Sequence, residues 1–152
     1  MYTELALIAI IVLVCLVFIG FPRKLNASDR EDLRKFGAIH VTPRKNLSSI
    51  VKMRNSSGEV SVKINPSKSR FANLFNLHLG RAAFFFKGYP KKPTKILNLA
   101  GRHVDSGNVY IKVESKHLPN FLRKRPFDRT IIVPHGYEGP AYLEYPDGDR
   151  DA

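Results

Sequence analysis

An uncharged apolar run near the N-terminus constrains this chain more than any other feature. Between Leu5 and Phe21 the sequence reads LALIAIIVLVCLVFIGF, with no charged or strongly polar side chain. In a helix that rises ~1.5 Å per residue, this run is about 25 Å long, at the short end of a bilayer's hydrocarbon core. A helix on the surface of a soluble domain carries a polar stripe, and this run has none. The run therefore predicts a transmembrane helix within residues 1–24.

The predicted anchor combines apolar side chains that face lipid with cations at its C-terminal end. Its first four residues contain no Lys or Arg, unlike the start of a secretory signal peptide, and the residues around Gly20 make a poor cleavage site. We therefore expect an anchor that is not cleaved. The side chains expected to hold it in the membrane are those of Leu5, Ile8, Ile11, Val12, Phe18, Phe21, Arg23 and Lys24.

Charge around the predicted helix indicates its orientation. Five cations follow the helix within residues 23–35, and none precedes it. The positive-inside rule then places the N-terminus outside and the C-terminal domain in the cytoplasm, or in the interior of a virion. Three Asn-x-Ser triplets, at Asn26, Asn46 and Asn55, argue the other way, because this is the acceptor pattern for N-glycosylation. An exported, glycosylated domain is thus an alternative.

The net charge of +12 is concentrated in the half of the chain that follows the anchor. Residues 23–98 hold seventeen Lys and Arg against four Asp and Glu, a net charge of +13, whereas residues 99–152 hold eight of each. Such a field suits anionic lipid headgroups, nucleic acid or an acidic protein. The residues expected to bind an anionic partner are Arg81, Lys87, Lys91, Lys92, Lys95, Arg123, Lys124 and Arg125.

Beyond the anchor, hydrophobic periodicity predicts an α+β fold: one small β-rich domain with one amphipathic helix. A juxtamembrane linker helix is expected within residues 25–36, capped by Ser28 with Glu31 completing a capping box, and ending at Gly37. The domain would span 37–146 and an acidic tail 147–152. Strands are expected at 37–42, 48–53, 60–64, 94–99, 109–114, 129–133 and 140–145, a short helical turn at 118–122, and the amphipathic helix from Asn65 to Ala82.

The stretch from Phe84 to Pro93 mixes four aromatic residues with three lysines. Such a mixture after an amphipathic helix has three alternative interpretations. The helix covers the sheet with the phenylalanines in the core, or it lies among lipid headgroups, or the stretch binds single-stranded nucleic acid. Pro140 predicts an edge position for the last strand, because proline cannot donate a ladder hydrogen bond.

No motif for catalysis or for a cofactor is present in the sequence. The five histidines have no metal-ligand spacing, the glycines form no phosphate loop, and no G-x-S-x-G elbow occurs. Cys15 is the single cysteine and lies within the apolar run. We therefore expect a protein that is not an enzyme and needs no cofactor, metal or small-molecule substrate.

Together these features predict a structural or assembly subunit of a membrane-associated complex. That complex would belong to a secretion system, an energy-transducing assembly, or a virion with an internal membrane. The expected partners are membrane lipid and other protein subunits. A membrane-tethered module that binds nucleic acid is the alternative, and it requires the basic residues to converge on one groove with exposed aromatic side chains.

Overall fold

A computed structural model of the chain describes residues 2–68, 80–88, 107–125 and 130–145. The first element is helix α1, Tyr2–Gly20, whose side chains are described from Thr3 to Cys15 and are all exposed. Among the residues described, no helix combines the length and the apolar character needed to cross a membrane. The helix itself is confirmed.

The rest of the described chain forms one sheet of nine strands with short helices, so the predicted β-rich α+β class is confirmed. The order across the sheet is β1-β7-β8-β5-β2-β6-β9-β4-β3, and every pairing is antiparallel. The strands are β1 Arg23–Lys24, β2 Ala38–Pro43, β3 Val51–Arg54, β4 Glu59–Ile64, β5 Ala82–Lys87, β6 Asn108–Val113, β7 Arg123–Lys124, β8 Thr130–Pro134 and β9 Tyr137–Glu144. The helices after α1 are α2 Ala27–Phe36 and α3 Leu47–Ile50, with 3₁₀ turns at Arg44–Asn46 and Ser115–His117.

The sheet is strongly curled, as the link between β8 and β9 shows. These strands lie four positions apart in the sheet, which would separate them by about 19 Å if it were flat. Only His135 and Gly136 join them, and three peptide units reach at most about 11 Å. Both linking residues have positive φ, 65° and 91°. The ends of β8 and β9 are therefore brought together by the bending of the five strands from one to the other.

The concave face of this curl holds the main core. Phe85 on β5 and Tyr137 on β9 meet edge to face with ring centroids 6.0 Å apart, although two strands lie between them. Alternate residues of each strand point into this face, as the period of two requires. The buried core consists of Leu25, Leu33, Ala38, Val60, Val62, Ile64, Ala83, Phe85, Ile111, Val113, Ile131, Val133, Tyr137 and Ala141. A smaller cluster of Ile39, Val41 and Tyr110 lies on the other face with Phe86.

Helix α2 begins two residues earlier than the sequence predicted. Asn26, not Ser28, is the N-cap, because its backbone is extended (φ −87°, ψ 179°) and its Oδ1 accepts a hydrogen bond from the backbone N–H of Asp29. The side chain of Asp29 accepts in return from the N–H of Asn26, which completes a capping box. The predicted end of the helix at Gly37 is confirmed.

Several strand predictions are confirmed and others are wrong. The β3–β4 hairpin, β6 and β8 form where expected. Residues 47–50 are helical rather than extended, and the predicted turn at 118–122 is replaced by the 3₁₀ turn before it. Ala82 begins a strand rather than ending a helix. The helix predicted between Asn65 and Ala82 falls mostly, and the strand at 94–99 entirely, outside the described residues.

The last strand, β9, is not an edge strand. It lies between β6 and β4. Pro140 is tolerated because β6 pairs with β9 only at Tyr142, Leu143 and Glu144, so β6 does not reach the side of the strand beside the proline. On the other side Pro140 lies opposite Ser61 of β4. Pro140 therefore marks a local gap in strand pairing, and the prediction that it marks an edge strand is wrong.

Candidate functional site

A short ribbon of four cations lies directly after helix α1. Strands β1 and β7 pair so that Arg23 is opposite Lys124 and Lys24 is opposite Arg123. We call these four residues the basic ribbon. Like charges placed directly across two strands repel each other. The ribbon is held in place by its flanks, because Leu25 after β1 is buried and Leu122 before β7 packs against the same core.

One ribbon lysine is neutralised from within the chain. Lys124 Nζ lies 2.5 Å from Asp29 Oδ2, and Lys87 Nζ lies 2.9 Å from Asp29 Oδ1 and 2.8 Å from Asp32 Oδ2. The Asp29 side chain is only 6% exposed. We call Asp29, Asp32, Lys87 and Lys124 the α2 ion cluster, because it joins α2 to β5 and β7.

The α2 ion cluster shifts the pKa values of its members. Burial alone would raise the pKa of Asp29, but hydrogen bonds from Lys124, Lys87 and the N–H of Asn26 outweigh it and lower the pKa to about 2. Burial would lower the pKa of Lys87, whereas its bonds to Asp29 and Asp32 raise that pKa above its ordinary value. Both groups therefore stay charged across the physiological range.

The structure describes five of the eight residues predicted to bind an anionic partner, and these five have different surroundings. Lys87 and Lys124 bind carboxylates of α2. Arg125 is buried, with its guanidinium 4.6 Å from the Phe84 ring centre. Arg123 lies 4.1 Å over the ring of Phe121, whose side chain is half-exposed. Arg81 is exposed just before β5, and Lys91, Lys92 and Lys95 fall outside the described residues.

The predicted anchoring residues are exposed where they are described. Leu5 and Ile8 are 60% exposed, and Ile11 and Val12 are slightly less so. Phe21, Arg23 and Lys24 are exposed as well, and the side chain of Phe18 lies outside the described part. Contiguous exposed apolar surface of this kind marks a site of contact with a membrane or another protein.

A groove that sequence reasoning missed lies beside the ribbon. It is a cavity of about 200 Å³ between α2 and the segment 115–122. We call it the α2 groove. Its lining includes four leucines, Leu25, Leu33, Leu118 and Leu122, together with Arg30 and Arg34. The only local signal in the sequence is the spacing of the two arginines, which places them one turn apart on α2.

A second depression adjoins the α2 groove and shares Arg34 with it. Its volume is about 310 Å³, and Lys35, Lys112 and Lys116 line it together with Glu114. A hydrogen bond from Lys116 lowers the pKa of Glu114, and the same bond raises the pKa of Lys116. The region around α2 is therefore rich in cations on both sides of Arg34.

Among the described residues, no three His, Cys, Asp or Glu side chains are grouped so that they could hold a metal ion. His40 is buried, and its Nδ1 donates a hydrogen bond to the Phe84 carbonyl oxygen over 2.9 Å.

Comparisons found no matching family model, no matching curated protein and no matching solved structure. The geometry itself, an exposed apolar helix that leads into fixed cations, is therefore the basis for proposing a function.

Proposed function

We propose that this protein is a non-enzymatic, single-pass membrane protein that serves as a structural or assembly subunit of a membrane-associated complex. The apolar run Leu5 to Phe21 would enter the bilayer, and the sheet domain would dock on its partners through its basic surface. The N-terminus would lie outside, and the domain in the cytoplasm or the interior of a virion, as the positive-inside rule implies.

The observation that carries this proposal is the direct passage from α1 into the basic ribbon. Only Phe21 and Pro22 separate the end of α1 from β1. Because Arg23 and Lys24 pair with β7, their charges are fixed relative to the domain. Cations immediately after an apolar helix lie at the depth of lipid headgroups, where each adds about 1 kcal/mol of attraction to an anionic leaflet.

The alternative of a nucleic-acid-binding module gains little from the geometry. It requires lysines and arginines on one groove beside exposed aromatic side chains. Lys87 and Lys124 instead meet at the buried carboxylate of Asp29, and Arg125 is itself buried. In the described part of the chain, Phe121 is one exposed aromatic residue that lies under a cation, Arg123.

The proposal is tested by protease protection of the full chain in sealed vesicles, with intact-mass analysis of the protected fragment. We expect the domain after Lys24 to be cleaved from the cytoplasmic side and α1 to be protected with Met1 retained. A protected domain carrying glycans on Asn26, Asn46 or Asn55, all of which are exposed, would establish the exported alternative instead.

A matched pair of variants tests the role of α1 in the same preparation. Ile11→Asp combined with Val12→Asp places two charges in the apolar run and should release the chain from carbonate-washed membranes. Met53→Asp on β3 alters a side chain that is 64% exposed and should leave the chain in the membrane pellet. Wild-type protein in the carbonate supernatant would refute the anchor.

A further inference from the structure

We infer that the α2 groove binds an anionic phospholipid, with the phosphate on Arg30 and Arg34 and the first carbons of the acyl chains against the leucines. This inference rests on the proposed membrane attachment and names a lipid class that the attached domain would select. The groove offers about 200 Å³ between α2 and the segment 115–122.

The lining of the α2 groove matches a ligand that is half charged and half apolar. Leu25 and Leu33 are almost fully buried at 8% and 3% exposure, so the partly exposed Leu118 and Leu122 offer most of the apolar wall. Arg30 and Arg34 are exposed and lie one helical turn apart on α2. A guanidinium group binds phosphate through two parallel hydrogen bonds, which makes paired arginines a suitable phosphate site.

The cations beside the groove differ from Lys87 and Lys124, which are paired with carboxylates in the α2 ion cluster. Within the described ranges, no carboxylate is ion-paired with Arg23, Lys24 or Arg30. Arg34 approaches Glu31 at 3.4 Å, but both side chains are more than two-thirds exposed, where such a pair contributes little. Arg30 and Arg34 therefore bring positive charge to the groove, and Arg23 and Lys24 add to it nearby.

The position of the groove favours a lipid over other anions. Leu25 directly follows Lys24, and Leu122 directly precedes Arg123, so the groove continues from the basic ribbon. Two residues separate the ribbon from α1, so the ribbon lies at headgroup depth if α1 enters the bilayer. Inorganic phosphate would satisfy the arginines and leave the leucine wall without an apolar partner.

The test uses the full chain in zwitterionic detergent micelles, followed by amide NMR. Short-chain phosphatidylglycerol is titrated in parallel with phosphatidylcholine of the same chain length and with inorganic phosphate. We expect saturable shifts of the amides of Arg30, Arg34, Leu118 and Leu122 with phosphatidylglycerol alone. Arg30→Ala combined with Arg34→Ala should weaken this binding about 30-fold, roughly fivefold for each cation removed.

The control variant is Lys52→Ala combined with Arg54→Ala. These two cations are also exposed and lie on β3, at the opposite end of the sheet from the ribbon. Their removal lowers the net charge by the same amount and should change the affinity less than twofold. Equal losses in both double variants would show general attraction of a basic protein and would overturn the inference.

Two other outcomes would also overturn the inference. Equal shifts with both lipids would show hydrophobic insertion without headgroup recognition, and saturation by an acidic peptide or an oligonucleotide but not by phosphatidylglycerol would identify another partner. These failures are distinct from failure of the proposed function. A chain that resists carbonate extraction yet shows no preference between the two lipids retains the anchor and lacks the lipid site.

Discussion

Asp29 on α2, whose side chain is buried, forms an ion pair with the partly exposed Lys124 on β7, with Oδ2 and Nζ 2.5 Å apart. The same carboxylate caps the first turn of α2 and binds Lys87 of β5. One side chain therefore connects the helix that follows the basic ribbon to two strands of the sheet. Removing one partner of a buried pair is costly because the other charge is left uncompensated.

Asp29→Asn should therefore destabilise the fold by about 2 kcal/mol, since Lys87 would keep only Asp32 and the partly exposed Lys124 would lose its counter-charge. The amide oxygen of the new asparagine can still accept a hydrogen bond from the N–H of Asn26. The loss of stability therefore reflects the missing charge more than a missing cap. Chemical unfolding of the full chain in micelles measures the change in the free energy of unfolding. Glu31→Gln, on the same helix, is the control and should change the free energy of unfolding by less than about 0.5 kcal/mol because its pair with Arg34 is exposed. A loss for Asp29→Asn as small as the control's would contradict the assigned role.

Acid should weaken the fold through the same carboxylate. The pKa of Asp29 is lowered from 3.8 to about 2, so the folded state holds the ionised form more tightly than the unfolded state does. The resulting stability is complete above the unfolded pKa and is lost as the pH falls through about 2. A shift of this size corresponds to about 2 kcal/mol. Unfolding curves between pH 6 and pH 2 should show this loss in the wild type, and the Asp29→Asn variant should lack that part of the pH dependence.

Tyr137 should ionise at a higher pH than an ordinary tyrosine. Burial, aided by the charge of Glu59, raises the pKa of this phenol to about 12, and its hydroxyl donates to the Pro140 carbonyl over 2.7 Å. Because the folded state favours the neutral phenol, stability is lost as the pH rises from about 10 towards that value. Ultraviolet titration should show a late step that Tyr137→Phe abolishes, with a loss of about 1 kcal/mol at neutral pH for the missing hydrogen bond. A late step that persists in the variant would assign it to another residue.

Gly136→Ala should be more damaging than Gly58→Ala. Both glycines have positive φ, 91° and 80°, so each substitution carries the left-handed penalty of about 1–2 kcal/mol. A Cβ on Gly136 would also lie 2.5 Å from the carbonyl oxygen of Ile64, whereas one on Gly58 would meet nothing within 4 Å. Thermal unfolding of the two variants compares the β8–β9 link with the β3–β4 turn. Equal effects would show that the link can relax away from β4.

Local patterns predicted the elements that have a single buried face. The hairpin at residues 51–64 and strand β6 show alternation along the sequence, and α2 ends at a glycine as expected. Strand β5 was missed because Ala83 and Phe85 enter the main core while Phe86 packs on the other face. A strand with apolar residues on both faces reads as a continuous apolar run, which periodicity alone does not separate from a buried helix.

The candidate site was predictable only in part. The cations after the apolar run were evident from the sequence, whereas their relation to a membrane surface stays a prediction. The α2 ion cluster and the α2 groove were not, because residues 29, 87 and 124 meet only through the sheet order. The position of an aspartate in the first turn of a helix predicts a favourable interaction with the helix dipole. It does not predict which distant residues the carboxylate contacts.

The strand order has a consequence for synthesis of the chain on the ribosome. Of the eight described pairings, only β3–β4 and β7–β8 join strands that are consecutive among the described ones. Strand β9 is the link that joins the β3–β4 hairpin to β6, and β8 joins the ribbon to β5. A nascent chain shorter than about residue 144 thus holds the described sheet in unconnected parts, and the slow non-local pairing that joins them waits until β9 has been made. Truncation within β9 should accordingly leave a chain that is translated in full up to the cut and remains open to proteolysis.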